Sequence, residues 1–345
     1  MSRVLARGYQ IVDIGTVKKL KLMSKAFLTL MRARCAGIGA PFVVGWAVTN
    51  RCNRKCAYCA LWKKDEAELT TAQVFGVVDE LYGMGARMIS FTGGEPIVRE
   101  DMGRIVSYVH DKGIKVKLNS NGALVKKKIR ELKGLDLLTL SLDGPEEVHD
   151  VIRGKGSYRE TMEAASIARE NNIRVNFATV LTGLNLGSVD FILDNAARIG
   201  GTAIFQPASP ALLGSDSPDP MSPPVDGYRA AIKGLIDKKM RGARNIGSSV
   251  SALNHLYSWP DPALISCAGG AISCRIEPNG DVVYCSRTDM PFKPMNCVRD
   301  GFREAFRRLK PVTCDKCWCA ARVDLNLIFK GDLQAILNQL SFSDR

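Results

Sequence analysis

The chain has 345 residues, more than a single compact core usually holds, so two domains are predicted. Apolar residues make up 46% and charged residues 24%, an ordinary balance for a globular protein, and no apolar run is long enough to span a bilayer. The net charge is +13, and the 11 cysteines come without a secretory signal. This combination predicts a cytoplasmic, reducing compartment and metal ligation, and it argues against a disulfide framework.

Residues 1–40 are predicted to form an amphipathic helical extension, because lysines and arginines alternate with large apolar residues over residues 17–34. The simplest interpretation is a helix that caps the core and exposes a basic face. Two alternatives stay open: peripheral contact with the anionic inner membrane surface, or contact with an acidic electron-donor protein. Binding to anionic vesicles that weakens as salt rises would test the membrane interpretation. No pattern typical of nucleic-acid binding is present, so a nucleic-acid partner is not predicted.

The next part of the chain alternates strand-like and helix-like segments, which predicts βαβ units and a parallel sheet. The predicted strands are residues 42–48, 87–91, 115–119, 137–142, 174–181 and 202–206. The predicted helices between them are residues 71–84, 101–112, 126–132, 157–171 and 188–199. The fold class is therefore α/β, a partial (β/α)6 TIM-like barrel with a small cysteine-rich C-terminal module. Active sites in such folds lie at the C-terminal ends of the strands.

Composition predicts where the chain divides. Residues 41–207 form the predicted barrel, and residues 208–259 form a linker rich in Pro, Ser and Asp followed by helices. Residues 260–345 contain seven of the cysteines and form the predicted C-terminal module with a final helix.

A cysteine triplet follows the first predicted strand. Cys52, Cys56 and Cys59 have the spacing C-x3-C-x2-C on what should be a loop at a strand end. Three thiolates this close can face one cubic iron–sulfur cluster and leave one iron open for chemistry. The alternatives are a zinc site or three unrelated thiols, although a zinc loop usually shows two CxxC pairs or a Cys/His set.

The triplet resembles the signature of the radical S-adenosylmethionine (SAM) enzymes, in which an aromatic residue, here Tyr58, precedes the third cysteine. The stretch Gly93-Gly94-Glu95-Pro96, one βα unit later, resembles the second motif of that family. The resemblance implies a catalytic [4Fe-4S] cluster whose open iron binds SAM. It also implies reductive cleavage of SAM to a 5′-deoxyadenosyl radical, with the electron supplied by an acidic flavodoxin- or ferredoxin-type donor.

The resemblance also implies a set of SAM-binding residues. The glycines would let the backbone approach the methionine end of SAM, Glu95 would meet its ammonium, and Arg153 could pair its carboxylate. Residues at the ends of the third and fourth strands would lie near the ribose or the carboxylate. The full predicted set is Tyr58, Gly93, Gly94, Glu95, Pro96, Asn119, Asn121, Ser141, Asp143 and Arg153.

The C-terminal cysteines resemble the opening of the auxiliary-cluster module called SPASM, or its shortened form called twitch. Cys267 and Cys285 enclose a glycine in the pattern C-x12-G-x4-C, and Cys314 and Cys317 form a CxxC pair. The chain lacks the remaining SPASM cysteines, so we expect one auxiliary [4Fe-4S] cluster held by these four residues. Cys274 could replace Cys267, and Cys319 could replace Cys317. The roles of these two residues and of Cys35 and Cys297 stay open, as does a zinc site.

These observations predict a radical SAM oxidoreductase that abstracts a substrate hydrogen, with the auxiliary cluster assisting a net oxidation or a crosslink. The substrate class stays open between peptide, lipid and other small molecules. The first forty residues leave no room for the winged-helix clamp that peptide maturases of this family usually carry, which weakens the peptide interpretation. The alternative function is an iron–sulfur electron carrier or scaffold, but such a protein has no need of the Gly-Gly-Glu-Pro motif.

Overall fold

The computed structural model describes residues 39–209, 221–287, 292–310 and 312–343. The basic segment at residues 17–34 and Cys35 lie outside these residues, so the predictions made for them stay predictions. Within the described ranges, no helix has both the length and the apolar character needed to cross a membrane.

Nine of the eleven strands in the described residues form one sheet, and the predicted parallel barrel wall makes up six consecutive strands at one end of it. Six strands, β1 to β6, lie in chain order and each pairs in parallel with the next. Their bounds are Val43–Thr49, Met88–Gly93, Lys115–Ser120, Leu137–Ser141, Arg174–Leu181 and Ala203–Pro207. The predicted strands were therefore correct to within two residues, and the α/β partial-barrel fold is confirmed.

Helices connect the strands of the barrel and cover its outer face. In the described part of the chain, helices α1 to α6 are Thr71–Gly83, Met102–Asp111, Val125–Lys128, Glu146–Arg153, Ser157–Glu170 and Val189–Arg198. Helices α7 and α8 follow the barrel at Val225–Met240 and Val250–Tyr257. The apolar residues of the strands and helices form one large core between the two layers.

The C-terminal region continues the same sheet. Strand β8 pairs in parallel with β1, and β9 and β10 follow it as antiparallel neighbours. Strand β7 pairs separately with β11. The strands β7 to β11 are Ile265–Ser266, Ser273–Ile276, Asp281–Val283, Met295–Asn296 and Thr313–Cys314, and helices α9 to α11 are Phe302–Arg308, Ala320–Lys330 and Leu333–Ser343. The division into domains stays a prediction, but the barrel sheet and the cysteine-rich region share backbone hydrogen bonds.

The two faces of the barrel strands have different surroundings. On β3, Val116 and Leu118 are fully buried against the outer helices, so the alternating residues Lys117 and Asn119 face the inside of the barrel. Helix α10 packs against β6, and its Arg322 donates to Ser273 and to the carbonyl of Cys274 on β8. Since β8 adjoins β1, helix α10 crosses the gap between the first and last strands and closes the lumen from the side.

Candidate active site

The cysteine triplet lies on the loop after β1, where the sequence predicts it. The three thiols are half-buried and free, and burial raises the pKa of Cys52 to about 11 and also raises the pKa of Cys59. Hydrogen-bond donors nevertheless point at the sulfurs: the Arg54 amide lies 3.4 Å from Sγ of Cys52. Desolvated thiols that already accept hydrogen bonds suit a metal centre, because bound cations supply the positive charge that keeps the thiolates deprotonated.

The two glycines after β2 pack against the backbone of the cysteine loop. A Cβ on Gly94 would lie 2.2 Å from the carbonyl oxygen of Arg51, and Gly93 has a φ of +138°. The Gly94 amide donates to the Thr49 carbonyl at 2.8 Å, and the Glu95 amide donates to the Arg51 carbonyl at 2.9 Å. Glycine is therefore needed where the loop after β2 approaches the cysteine loop, and the predicted contact of these glycines with SAM stays a prediction.

The Glu95 carboxylate is engaged within the protein. It is fully buried and accepts hydrogen bonds from the Ser120 hydroxyl at 2.9 Å, the Asn121 amide at 2.7 Å and the Ile97 amide at 3.2 Å. Burial raises its pKa to about 7, against the lowering effect of these donors. These contacts join the β2 and β3 loops, and the direct contact of Glu95 with the SAM ammonium stays a prediction. Pro96 follows at the start of a short 3-10 turn.

Tyr58, Asp143 and Arg153 form one buried cluster beneath the cysteine loop. The Arg153 guanidinium donates to the Asp143 carboxylate at 2.5 Å and to the Tyr58 hydroxyl, and it lies 3.9 Å from Sγ of Cys56. Burial disfavours the charge, but Asp143 outweighs this effect and raises the pKa of Arg153. The pairing of Arg153 with the SAM carboxylate stays a prediction. The position of Arg153 ties helix α4 to the cysteine loop.

The remaining predicted SAM residues lie at the same rim. Asn119 faces the lumen and donates to the Ser90 hydroxyl at 3.1 Å, and Ser141 ends β4. The Asn121 amide group lies 2.8 Å from the Asn53 side-chain oxygen and 3.9 Å from Sγ of Cys52. The structure therefore brings the predicted set together around the cysteine loop.

A second set of residues holds the loop in place and was missed by the sequence analysis. Arg51 forms a two-pronged ion pair with Glu68, at 2.8 Å and 3.0 Å. Buried Arg99 donates to the carbonyls of Val48 and Leu69. These partners are 17 or more residues apart in the sequence, and no local motif marks them.

The C-terminal cysteines converge on one cavity. Five of the described thiols line it, together with Arg287, Arg322 and Asn326: Cys267, Cys285, Cys314, Cys317 and Cys319. The amide of Gly269 donates to Cys267, and the Asn326 side chain donates to Cys317 at 3.4 Å. The predicted four ligands therefore lie together, and Cys319 remains an alternative to Cys317.

One thiol of the CxxC pair is favoured as a thiolate. A hydrogen bond from Cys317 lowers the pKa of Cys314, and the Arg287 guanidinium, 2.9 Å from Sγ of Cys314, acts in the same direction. Electrostatic support of this kind is typical of a cysteine that binds a metal. No group of three Cys, His, Asp or Glu side chains in the described ranges has the geometry for a single metal ion.

Cys274 and Cys297 lie elsewhere. Both are almost completely buried in the main apolar core, and burial raises the pKa of each to about 12. Neither lines the cavity of five thiols, so the structure favours Cys267 over Cys274 as a ligand.

A larger cavity of about 260 Å³ lies between the two cysteine sites. It is lined on the barrel side by Asn50 and Leu61, which flank the cysteine loop, and on the other side by Arg275, Glu277 and Cys285. Cys285 lines both this cavity and the five-thiol cavity. A molecule bound here would touch residues that flank the cysteine loop and one C-terminal cysteine, Cys285.

Comparison with known proteins decides the family. Residues 46–196, which carry the cysteine triplet and the Gly-Gly-Glu-Pro motif, match the model of the radical SAM superfamily. Mycofactocin maturase MftC of Mycolicibacterium smegmatis is 30% identical over 308 residues, which cover 84% of this chain and 77% of that protein. The chain belongs to the radical SAM superfamily. The Fe-coproporphyrin III synthase of Methanosarcina barkeri is 34% identical over 160 residues, 44% of this chain and 40% of that protein.

Solved structures share the fold. SuiB of Streptococcus suis bound to S-adenosylmethionine has a TM-score of 0.66 at 16% identity, with 87% of this chain and 72% of that chain covered. The chain is therefore a radical SAM enzyme, a family that uses SAM and a [4Fe-4S] cluster, and its C-terminal region is rich in cysteines. The prediction of an enzyme is confirmed, and the alternative of a carrier without SAM chemistry is not supported.

Proposed function

We propose that this radical SAM enzyme oxidises or crosslinks a peptide in the 260 Å³ cavity between the cysteine loop and the auxiliary cysteines. The cavity carries the proposal because Asn50 and Cys285 both line it, so one bound substrate can reach the radical and an electron acceptor. The relative named as a maturase, which matches over most of both chains, supports a peptide substrate.

Cys52, Cys56 and Cys59 hold the catalytic cluster in this proposal. When bound, the cluster supplies one electron that breaks a carbon–sulfur bond of SAM and yields the 5′-deoxyadenosyl radical. The chain orients the loop through the buried cluster of Tyr58, Asp143 and Arg153 on one side. On the other side, Gly94 and Glu95 hydrogen-bond the backbone of the same loop. Movement of the buried cluster or of the loop after β2 would therefore displace the three thiols.

SAM itself is bound, in our proposal, at the rim formed by Gly93, Pro96, Asn119, Asn121 and Ser141. Glu95 acts as a positioning residue, because its carboxylate fixes Ser120 and Asn121 at the end of β3.

Cys267, Cys285, Cys314 and Cys317 hold one auxiliary cluster in this proposal. A cluster with four protein thiolates has no open iron, so its role is to accept an electron rather than to bind substrate. The balance would then be complete: the substrate would lose one hydrogen atom to the radical and one proton, and a cluster held by these four thiols would supply the acceptor for the remaining electron. The product has two hydrogens fewer than the substrate and contains a new double bond or crosslink.

The electron donor is proposed to dock on a basic surface beside the cysteine loop, formed by the exposed side chains of Lys55, Lys63 and Lys155. Lys55 and Lys63 lie over the Trp62 ring, and the Trp62 indole donates to the Cys59 carbonyl at 2.9 Å. Arg54 contacts the Lys155 carbonyl. An acidic flavodoxin or ferredoxin would thus be attracted to the part of the surface nearest the catalytic cysteines.

Charge reversal tests this docking surface. The double variant Lys55→Glu/Lys63→Glu should cleave SAM about tenfold more slowly with reduced flavodoxin at low salt, because steering of an acidic partner is lost. With dithionite, which needs no docking, its rate should equal that of the wild type. Lys133→Glu/Lys233→Glu reverses two exposed lysines elsewhere and is the matched control. An unchanged rate with flavodoxin in the first variant would rule out this surface.

The substrate class is tested with the anaerobically reconstituted enzyme, SAM and dithionite. Short peptides encoded beside the gene are compared with lipids and porphyrins. We expect a peptide to increase the yield of 5′-deoxyadenosine and to lose two hydrogens by mass spectrometry. Oxidation of a lipid or porphyrin, with every peptide unchanged, would show that the radical chemistry is right and the substrate class wrong.

A further inference from the structure

Arg287 lies between the two cavities and contacts the C-terminal cysteines. It lines both the 260 Å³ cavity and the cavity of five thiols. Its guanidinium donates to Sγ of Cys314 at 2.9 Å, and its backbone amide hydrogen-bonds the thiol of Cys285. Arg287 therefore contacts two of the four cysteines that we assign to the auxiliary cluster.

The guanidinium of Arg287 is shielded from solvent. Its side chain is 10% exposed, and a charge in such a position is screened less by water and salt than a charge at the surface. The Asp315 carboxylate lies 3.7 Å from the guanidinium and is half-exposed, so the Cys314 sulfur is the nearer of these two partners. A hydrogen bond from a buried guanidinium to a thiolate is charge-assisted and stronger than one from a neutral donor.

The cysteine loop after β1 has a different arrangement of donors. A neutral donor, the Arg54 backbone amide, lies 3.4 Å from Sγ of Cys52. The Arg153 guanidinium reaches Sγ of Cys56 only at 3.9 Å, and its charge is engaged by the Asp143 carboxylate at 2.5 Å. Of the two cysteine sites, the C-terminal one therefore has the closer charged donor.

This difference between the two sites has a consequence for electron transfer. Hydrogen bonds to the cysteine sulfurs and the net charge of the site set the reduction potential of an iron–sulfur cluster. Reduction adds one negative charge, so a cation beside a ligand sulfur stabilises the reduced form and raises the potential. A close charged donor thus suits the site that accepts an electron, and a distant one suits the site that must give an electron to SAM.

We propose that the Arg287 guanidinium raises the reduction potential of the auxiliary cluster and thereby favours transfer of the substrate's electron to it. In that step the substrate radical loses one electron to the cluster and one proton to water. Arg287 acts through Cys314 and is a positioning residue. The inference rests on the proposed function for the presence of an auxiliary cluster at these cysteines, and it does not depend on the class of substrate.

The test is a redox titration of the anaerobically reconstituted full-length enzyme, followed by electron paramagnetic resonance. The signal that remains when Cys52, Cys56 and Cys59 are all replaced with alanine identifies the auxiliary cluster. Arg287→Met removes the guanidinium and keeps the backbone amide. We expect the ratio of reduced to oxidised auxiliary cluster at a fixed solution potential to fall about tenfold, which corresponds to a potential about 59 mV lower for one electron. Arg287→Lys keeps the positive charge and should shift the potential less.

The matched control is Arg307→Met, which removes an exposed arginine of helix α9 that lines neither of the two cavities. Its auxiliary potential should equal that of the wild type, and the catalytic potential should be unchanged in both Met variants. A wild-type auxiliary potential in Arg287→Met, or an equal fall in Arg307→Met, would overturn the proposal.

The iron content shows whether each variant still holds both clusters. If Arg287→Met loses the auxiliary iron, Arg287→Gln decides the question, because it keeps a hydrogen-bond donor and removes only the charge. We expect Arg287→Gln to retain the iron and to have a lower auxiliary potential. Loss of the auxiliary iron in both variants would show that Arg287 holds the ligands in place, and the proposed effect on the potential would then be wrong.

The same measurements separate this inference from the proposed function. About four iron atoms per wild-type chain would contradict both the proposed auxiliary cluster and the role of Arg287. About eight iron atoms with an unchanged potential in Arg287→Met would contradict the role of Arg287 alone. A lower potential in Arg287→Met, together with no oxidation of any peptide by the wild type, would support the role of Arg287 and contradict the proposed substrate.

Discussion

Replacing Cys52, Cys56 and Cys59 together with alanine is expected to abolish reductive cleavage of SAM. Without these thiols the loop after β1 offers no ligands to the catalytic cluster, and SAM loses the open iron that it binds. We expect the iron content to fall from about eight to about four atoms per chain, because the auxiliary cysteines are untouched. Formation of 5′-deoxyadenosine with dithionite and an iron determination measure the two effects.

The control for this variant is Cys297→Ala, which removes a fully buried thiol of the apolar core that lies outside the cavity of five thiols. It should keep both the iron content and the cleavage of SAM, although it should lower the free energy of unfolding by about 1 kcal/mol because of the small cavity that it leaves. Cleavage of SAM at the wild-type rate by the triple variant would contradict the assignment of the three cysteines.

The barrel could be predicted from the sequence because the patterns that indicate its strands and helices each lie within a short segment of the chain. Each barrel strand is a short apolar run that is followed by a segment with the apolar spacing of a helix. The three cysteines of the triplet lie within eight consecutive positions. The pairing of β8 with β1 could not be predicted in this way, since Val43 and Ser273 are far apart in the chain and β8 spans four residues. That pairing is what places the auxiliary cysteines beside the lumen.

The roles of individual side chains were harder to predict than their positions. Glu95 and Arg153 lie at the predicted rim, but their charges are satisfied by Ser120, Asn121 and Asp143, partners that belong to other βα units. The surroundings of Lys117 could not be predicted for a different reason. Alternation along a strand shows which residues leave the core, but it does not distinguish bulk solvent from the inside of a barrel.

The double variant Cys267→Ala/Cys285→Ala is expected to separate SAM cleavage from substrate oxidation. Cys267 precedes the β8–β9 hairpin in the chain and Cys285 follows it, and both line the same cavity. Their loss leaves at most three thiols for the auxiliary cluster. We expect about four iron atoms per chain, retained formation of 5′-deoxyadenosine and at least a hundredfold less oxidised product, because the substrate radical loses its electron acceptor.

Single variants then identify the fourth ligand. Cys317 and Cys319 both line the cavity, but Cys317 shares a hydrogen bond with Cys314 and also accepts one from Asn326. We therefore expect Cys317→Ala to lose the auxiliary iron and Cys319→Ala to retain it. The reverse result would make Cys319 the ligand and leave Cys317 free.

The iron content of the wild type tests the premise behind both experiments. About eight iron atoms per chain match one catalytic and one auxiliary cluster of the four-iron type, and about twelve would require a second auxiliary cluster. The second case would need ligands beyond the five thiols that share the cavity, and Cys274 and Cys297 are enclosed in the apolar core. About four iron atoms together with zinc would make the C-terminal site structural. The substrate radical would then have no acceptor in this chain, and the reaction would have to end by return of the hydrogen atom or by transfer of an electron to a separate protein.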